Sequence, residues 1–318
     1  MTERARIDCV TGAFGFTGRF IARRLLERGI AVRTLTNHAD ARSPLAARID
    51  SRVYAFDRPE VLAKDLEGVH TLYNTYWVRF ERGTTRFDTA VRNTRSLFHA
   101  AQRAGVRRVV HVSIANADAA SDLPYYRGKG LLEAELATSG LSYAIVRPTV
   151  LFGDDAILIH NIAWLLRHLP AFAVVGRGDY RLQPVYVNDV ARLCVELGER
   201  GENVARDAAG PEILDYLELV KRLRAAVRSR AGLLRVPEPL GLGLARMLGF
   251  LLRDVLITRD ELVGLQRDLL VSRESPACAT RFGGWMREHG DALGRRYQSE
   301  LARHFEDVSQ LGSPRSRR

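Results

Sequence analysis

From Ile7 to Val150, short β-branched runs alternate with longer stretches in which apolar side chains recur every three or four residues. That alternation is the signature of βαβ units and predicts a parallel sheet. Strands are expected at Ile7 to Val10, Ala31 to Thr36, Arg52 to Phe56, Thr71 to Asn74, Arg108 to Ser113 and Tyr143 to Arg147. The clearest helix runs from Thr84 to Ala104 and puts Phe87, Ala90, Val91, Thr94, Leu97, Phe98 and Ala101 on one stripe. Gly105 ends it. Right-handed crossovers then place helices on both faces, giving an α/β, doubly wound parallel sheet.

The rhythm changes after Arg147-Pro148. A helical stretch follows at Ala156 to His168, another begins after Asn188-Asp189, and the chain from Gly210 onward reads as mostly helical. We therefore expect a first domain over residues 1–152, completed by roughly 184–200. A smaller, mostly helical second domain takes 153–183 and 201–305, and a basic tail, expected to be disordered, covers 306–318. The most apolar part of that second domain, Leu240 to Leu252, is interrupted by Arg246 and followed by Arg253. It is shorter than the ~20 apolar residues that a transmembrane helix needs. Residues 240–252 are thus either an interfacial or partner-docking helix or an ordinary helix of the second domain.

The formal charge of +11 raises nucleic acid as a partner, but Lys64, Lys129 and Lys221 are the only lysines and the arginines are spread along the whole chain. A nucleic-acid binder clusters its charge, so no specific nucleic-acid binding is expected. Cys9, Cys194 and Cys278 are far apart with no C-x-x-C spacing, and the eight histidines form no H-x-x-x-H pair, so neither disulfides nor a metal are expected. The polar start of the chain offers no signal segment, and the expected location is cytoplasmic.

The first strand runs into Thr11-Gly12-Ala13-Phe14-Gly15-Phe16-Thr17-Gly18 and then a helix from Arg19 to Glu27. Gly12 permits a tight turn, Gly15 lets the backbone approach a pyrophosphate, and Gly18 lets helix and strand pack closely, while free N–H groups at the helix start face an anion. This context predicts binding of NAD or NADP by Gly12, Phe14, Gly15, Phe16, Thr17 and Gly18. After the second strand, Asn37 is the expected ribose neighbour. No acid stands plainly at the strand end, and with Asp40 and Arg42 both within reach the reading leans to NADP.

The spacing of Gly12, Gly15 and Gly18, with further motifs, makes the chain resemble the short-chain dehydrogenase/reductase superfamily. The likeness is to its extended and atypical branches, which include nucleotide-sugar epimerases, NmrA-like proteins and the Rossmann-type accessory subunit of respiratory complex I. Arg147-Pro148-Thr149-Val150-Leu151-Phe152-Gly153 is similar to the R-P-x-x-V-Y-G run of extended members, and Val187-Asn188-Asp189-Val190-Ala191 to their H-V-D-D-V-A. Leu256-Ile257-Thr258-Arg259-Asp260-Glu261 resembles the C-terminal segment of the complex I-like branch. The resemblance implies a Rossmann fold with cofactor contacts at Asp57, Asn74, Pro148 and Lys129, and a structural role for Asn93. It also implies that Tyr125 and Lys129 are the Y-x-x-x-K catalytic pair and that Ser113 orients the substrate. Four residues apart on a helix, the pair shares one face. A nearby ammonium could lower a phenol from about 10 toward the working range of a base.

Tyr76 and Trp77 can line a cleft at the carboxyl edge or belong to the core, and Gln183 and Tyr186 pose the same alternative. The activity implied is NAD(P)-dependent hydride transfer to or from a carbonyl or alcohol of a small-molecule substrate, or epimerase/dehydratase chemistry with the same groups. The alternative from another class is a non-catalytic dinucleotide sensor or assembly subunit.

Overall fold

The computed structural model describes residues 6–304; the tail expected at 306–318 lies outside them. Seven parallel strands form the central sheet: β1 (Ile7–Thr11), β2 (Ala31–Leu35), β3 (Ile49–Arg52), β4 (Val69–Asn74), β5 (Arg108–Val112), β6 (Tyr143–Pro148) and a seventh at Val204–Ala208. Their order is Val204–Ala208, β6, β5, β4, β1, β2, β3. The order reverses at β1, and the crevice outside the carboxyl ends of β1 and β4 is the place where such sheets bind ligands.

The connecting helices that matter here are α1 (Phe16–Glu27), α2 (Pro59–Asp65), α3 (Phe87–Arg103), α4 (Pro124–Thr138), α5 (Ile157–His168) and α6 (Val187–Gly198). Helices α1 and α6 cover one face of the sheet, with Leu25 of α1 in a core shared with Val10, Val110 and Val146 of the sheet. Helices α2, α3 and α4 cover the other, with Leu97 and Leu132 of α3 and α4 in a core shared with Leu72 and Val109 of the sheet. The α3 stripe read from the sequence is the buried face of that helix, from Phe87 to Ala101. The remaining chain folds as α7 (Tyr216–Ala226), α8 (Glu238–Leu252), α9 (Arg259–Gln266) and α10 (Phe282–His289) with short two-stranded pairings. It joins α5 in a separate core that includes Phe172, Leu219, Phe282 and Trp285.

Two features depart from the expected pattern. The third strand ends at Arg52, so residues 53–56 run on as a loop whose Tyr54 and Phe56 stack on each other and pack at an angle against Tyr76. The Rossmann unit also needs the strand Val204–Ala208, which pairs with β6 and lies beyond the 184–200 segment expected to complete it. Its V-A-R-D-A pattern hides an edge strand, because Arg206 meets Glu274 and Asp207 accepts from Ser272 across the domain boundary.

Candidate active site at the carboxyl edge of the sheet

The glycine loop leaves β1 through Gly12, whose φ of +65° requires glycine, and Gly15 caps α1 with its N–H donating to the Gly12 carbonyl at 2.8 Å. A Cβ on Gly18 would lie 2.2 Å from that same carbonyl oxygen, so the helix start and the turn fit only because residue 18 has no side chain. The turn is held from below by hydroxyls. Thr34 Oγ donates to the Val10 carbonyl and accepts from Ala13 N–H. Thr11 Oγ donates to Asn74 Oδ1 and accepts from the N–H groups of Thr75 and Tyr76. This hydroxyl scaffold was not singled out from the sequence; a threonine ending a strand carries no distinctive pattern.

Around the loop, Asn74 is buried and shares its amide with His111 Nδ1 at 3.0 Å. Burial and the nearby Lys129 hold that imidazole well below its ordinary pKa. Phe16 opens α1 and lines the main cavity, Phe14 packs on the α1/α6 core, and Thr17 follows in the first turn. Asn37 Oδ1 accepts from Tyr54 N–H, Arg42 is exposed with Asp40 3.8 Å away, and Asp57 is exposed beside Arg58. Pro148 closes β6, where its carbonyl accepts from Ala115 N–H. Asn93 donates to the Tyr76 hydroxyl.

Helix α4 carries Tyr125 and Lys129, and the structure gives them different surroundings. Lys129 is buried, donates to the Val112 carbonyl at 2.8 Å and lies 4.5 Å from the centre of the Trp77 ring. Burial lowers its pKa to about 7, opposed by Glu133. Tyr125 packs edge-on against Trp77 and Phe87 and turns toward the cavity. Burial raises its phenol above 10, and among charged groups Glu261, Arg79 and Glu300 act on it most, not Lys129. The expected lowering of the tyrosine pKa by the lysine is therefore absent in this conformation. The Trp77 indole lies against both residues and against Gly128, where a Cβ would come within 2.8 Å of it. Ser113 is 5% exposed and its Oγ has no hydrogen-bond partner, as does the Trp77 indole N–H. Unpaired buried donors of this kind are costly unless a ligand satisfies them.

Lys129 yields a pH test. Its folded pKa lies below its unfolded value, so between about 7 and 10.5 the unfolded chain binds the extra proton and stability rises with pH, by at most ~1.4 kcal/mol per unit. Buried thiols oppose this above about 9, where the unfolded cysteines ionise and the folded ones do not. Urea unfolding from pH 7 to 8.5 should show increasing stability, and Lys129→Met should flatten the slope.

The cavity beside Tyr125 has a volume of about 830 Å³. It runs from Phe16 and Ile114 at the sheet edge to Val255, Leu256 and Leu265 of the second domain, and its lining is chiefly aliphatic and aromatic. On one wall Arg79 spans both domains, donating to Glu261 at 2.6 Å, to Glu300 at 3.2 Å and to the Leu256 carbonyl at 3.1 Å. Glu261 is meanwhile fixed as the third residue of an α9 capping box with Thr258. Sequence reading missed this clamp. Arg79→Met should strand two carboxylates and lower stability by about 3 kcal/mol, measured by urea unfolding. Gln183 and Tyr186 are not at the cavity: Gln183 bridges Gly210 and Ser272, and Tyr186 stacks on Phe152. Tyr76 belongs to the Tyr54 and Phe56 cluster. Among the described residues no group of three or more histidine, cysteine or acidic side chains could hold a metal, and no helix is long and apolar enough to cross a membrane.

The site and sheet define a dinucleotide-binding Rossmann protein, and comparison with known proteins agrees. A family model described as NAD(P)H-binding matches residues 12–164. The chain is 35% identical over 280 residues to sterol demethylase protein B of Methylococcus capsulatus, covering 79% of this chain and 82% of that protein. It is 22% identical over 290 residues to the mitochondrial NADH dehydrogenase [ubiquinone] 1 alpha subcomplex subunit 9 of Arabidopsis thaliana, covering 84% and 71%. A nucleoside-diphosphate-sugar epimerase from Staphylococcus aureus shares the fold, with a TM-score of 0.68 at 17% identity over 89% of this chain and 99% of that one. The chain belongs to the extended and atypical branch of the short-chain dehydrogenase/reductase superfamily, as an NAD(P)-binding member.

Proposed function

We propose that the protein is an NAD(P)-dependent oxidoreductase that transfers hydride to or from a carbonyl or alcohol on a largely apolar substrate. The observation that carries this reading is the largely aliphatic and aromatic cavity lined by Tyr125 and by Ile114, next in the chain to Ser113. A nucleotide sugar would need many buried hydrogen-bonding partners there. The likeness to a protein named for sterol demethylation points the same way.

The residues present suit a dinucleotide: the cradle at Gly15 and Gly18 would be filled by any Cβ, and Ser113 Oγ is a buried hydroxyl in want of a partner. When bound, the nicotinamide would supply or accept the hydride. Gly12, Gly15 and Gly18 would hold the pyrophosphate, and Asn37 and Asp57 would face the adenosine. With no acid at the end of β2 and Arg42 nearby, NADP is the preferred cofactor. Ser113 donates to the substrate oxygen and Tyr125 exchanges its proton with it. Lys129 would hold the cofactor ribose after giving up its hydrogen bond to the Val112 carbonyl. Burial keeps Tyr125 protonated at neutral pH, so the phenol holds the proton that reduction consumes, although as a weaker acid than a free tyrosine.

A second reading has its own observation. Lys129 is engaged by Val112 and covered by Trp77, an arrangement that fits a protein that binds dinucleotide without turnover, as a sensor or assembly subunit. Nicotinamide absorbance with sterol and other polycyclic ketones, set beside UDP-sugars, separates the readings. Oxidation of NADPH by an apolar ketone supports the oxidoreductase, turnover of the sugar nucleotide alone contradicts the apolar substrate, and binding with no turnover favours the second reading.

A further inference from the structure

Helix α8 presents to solvent the kind of face that helices of water-soluble domains bury. Its fifteen residues contain two charged side chains, Glu238 and Arg246. Only Gly241 and Gly249 are buried, both on its inner side. The outward positions Leu240, Met247, Phe250 and Leu251 recur at helical spacing, with relative exposures of 54%, 53%, 85% and 68%. Leu234 of the preceding strand Gly232–Val236 is likewise exposed, at 55%. Contiguous apolar surface of this kind marks a site of association.

The charges beside the patch say what covers it. Arg246 lies on the helix, Arg253 ends it in a left-handed conformation at φ +51°, and Arg82 shares a pocket with Phe250, Leu251 and Arg253. Among the described residues none of these three arginines has a carboxylate partner within salt-bridge distance. The one acid in that pocket, Asp254, already accepts from Tyr297, Glu300 and Leu301. A protruding aliphatic stripe rimmed by unpaired arginines, on a chain of net charge +11, is complementary to an anionic lipid surface. A single helix of about 22 Å can lie in such an interface but cannot span it.

Arg82 also lines the apolar cavity beside Tyr125, and Val255 and Leu256 of that cavity directly follow the helix tip. We propose that α8 is a bilayer-docking helix that lays Leu240, Met247, Phe250 and Leu251 into the interface of an anionic membrane, with Arg82, Arg246 and Arg253 on the headgroups. The apolar cavity then opens beside the lipid. The docking stands on the exposed helix and its arginines, whether or not the site turns over a substrate.

Co-sedimentation of the full chain with vesicles of phosphatidylcholine containing about 30% phosphatidylglycerol, at about 0.1 M salt, tests it. Binding is expected, weaker on pure phosphatidylcholine and in about 1 M salt. Phe250→Ser with Leu251→Ser should lower partitioning about tenfold while thermal melting and NADPH affinity stay unchanged. Arg246→Gln with Arg253→Gln should remove the preference for the anionic lipid, and it keeps the question open to test should the apolar pair fail to fold. A wild type that ignores anionic vesicles, or either variant pair binding them as wild type does, would overturn the proposal. So would a dimer, seen by ultracentrifugation, that the serine variant splits while vesicle binding is absent, since the face would then belong to a second copy of this chain.

Discussion

Gly18→Ala should abolish useful binding of NADP and NAD. Position 18 lies in the first turn of α1, where alanine ordinarily stabilises a helix by about 1 kcal/mol over glycine. Here the new methyl group would sit 2.2 Å from the Gly12 carbonyl oxygen and 2.9 Å from its carbon. Both are backbone atoms of a turn fixed at φ +65°. Neither can yield without reshaping the cradle, because Thr34 and Thr11 hold the strand ends on which the turn rests. The expected loss is at least ~100-fold in affinity, or about 2.7 kcal/mol by calorimetry. Gly15→Val should also weaken binding, since its Cβ would lie 3.2 Å from the same oxygen and its methyls would stand where the pyrophosphate approaches. Gly29→Ala is the control: it is strained at φ +75° but has nothing within 4 Å, so it should lower stability and leave cofactor affinity alone. Undiminished binding in Gly18→Ala would place the phosphate site elsewhere.

The contrast between the glycine loop and the Arg79 clamp explains how much of this molecule was legible in its sequence. The loop is local. Gly12, Gly15 and Gly18 act within seven consecutive residues between a strand and a helix, and spacing alone carries their geometry. Arg79 meets Glu261 and Glu300 across 182 and 221 residues of chain, and no pattern announces such a pair before the topology is known. The strands were read well where they are buried along most of their length around a β-branched centre, as in β5 and β6. They were read poorly at the sheet margins. Tyr54 and Phe56 mimic strand residues because they stack beside Tyr76, and Arg206 and Asp207 disguise a strand because they face partners across an edge. Tyr125 and Lys129 were legible as a spaced pair, while their separation by the Trp77 ring was not, since that ring arrives from the end of another strand.

Tyr125→Phe is the substitution with the largest expected effect on turnover. It removes one oxygen from a ring that is otherwise held by Trp77, Phe87 and Tyr126, so packing and cofactor affinity should change little. The neighbouring Tyr126 cannot substitute. Its ring packs on Gly264, where a Cβ would lie 3.1 Å from its hydroxyl oxygen. Loss of a positioned proton donor costs typically 10²- to 10⁴-fold in rate. Adding Lys129→Ala to Tyr125→Phe should cost little further rate, because groups that act as a unit are strongly non-additive.

The most direct measurement is therefore the rate of NADPH oxidation with an apolar ketone taken by wild type and Tyr125→Phe, alongside the NADPH affinity of each. The account predicts a fall of at least ~100-fold in kcat for Tyr125→Phe at unchanged cofactor affinity. An active wild type with an equally active Tyr125→Phe would contradict it.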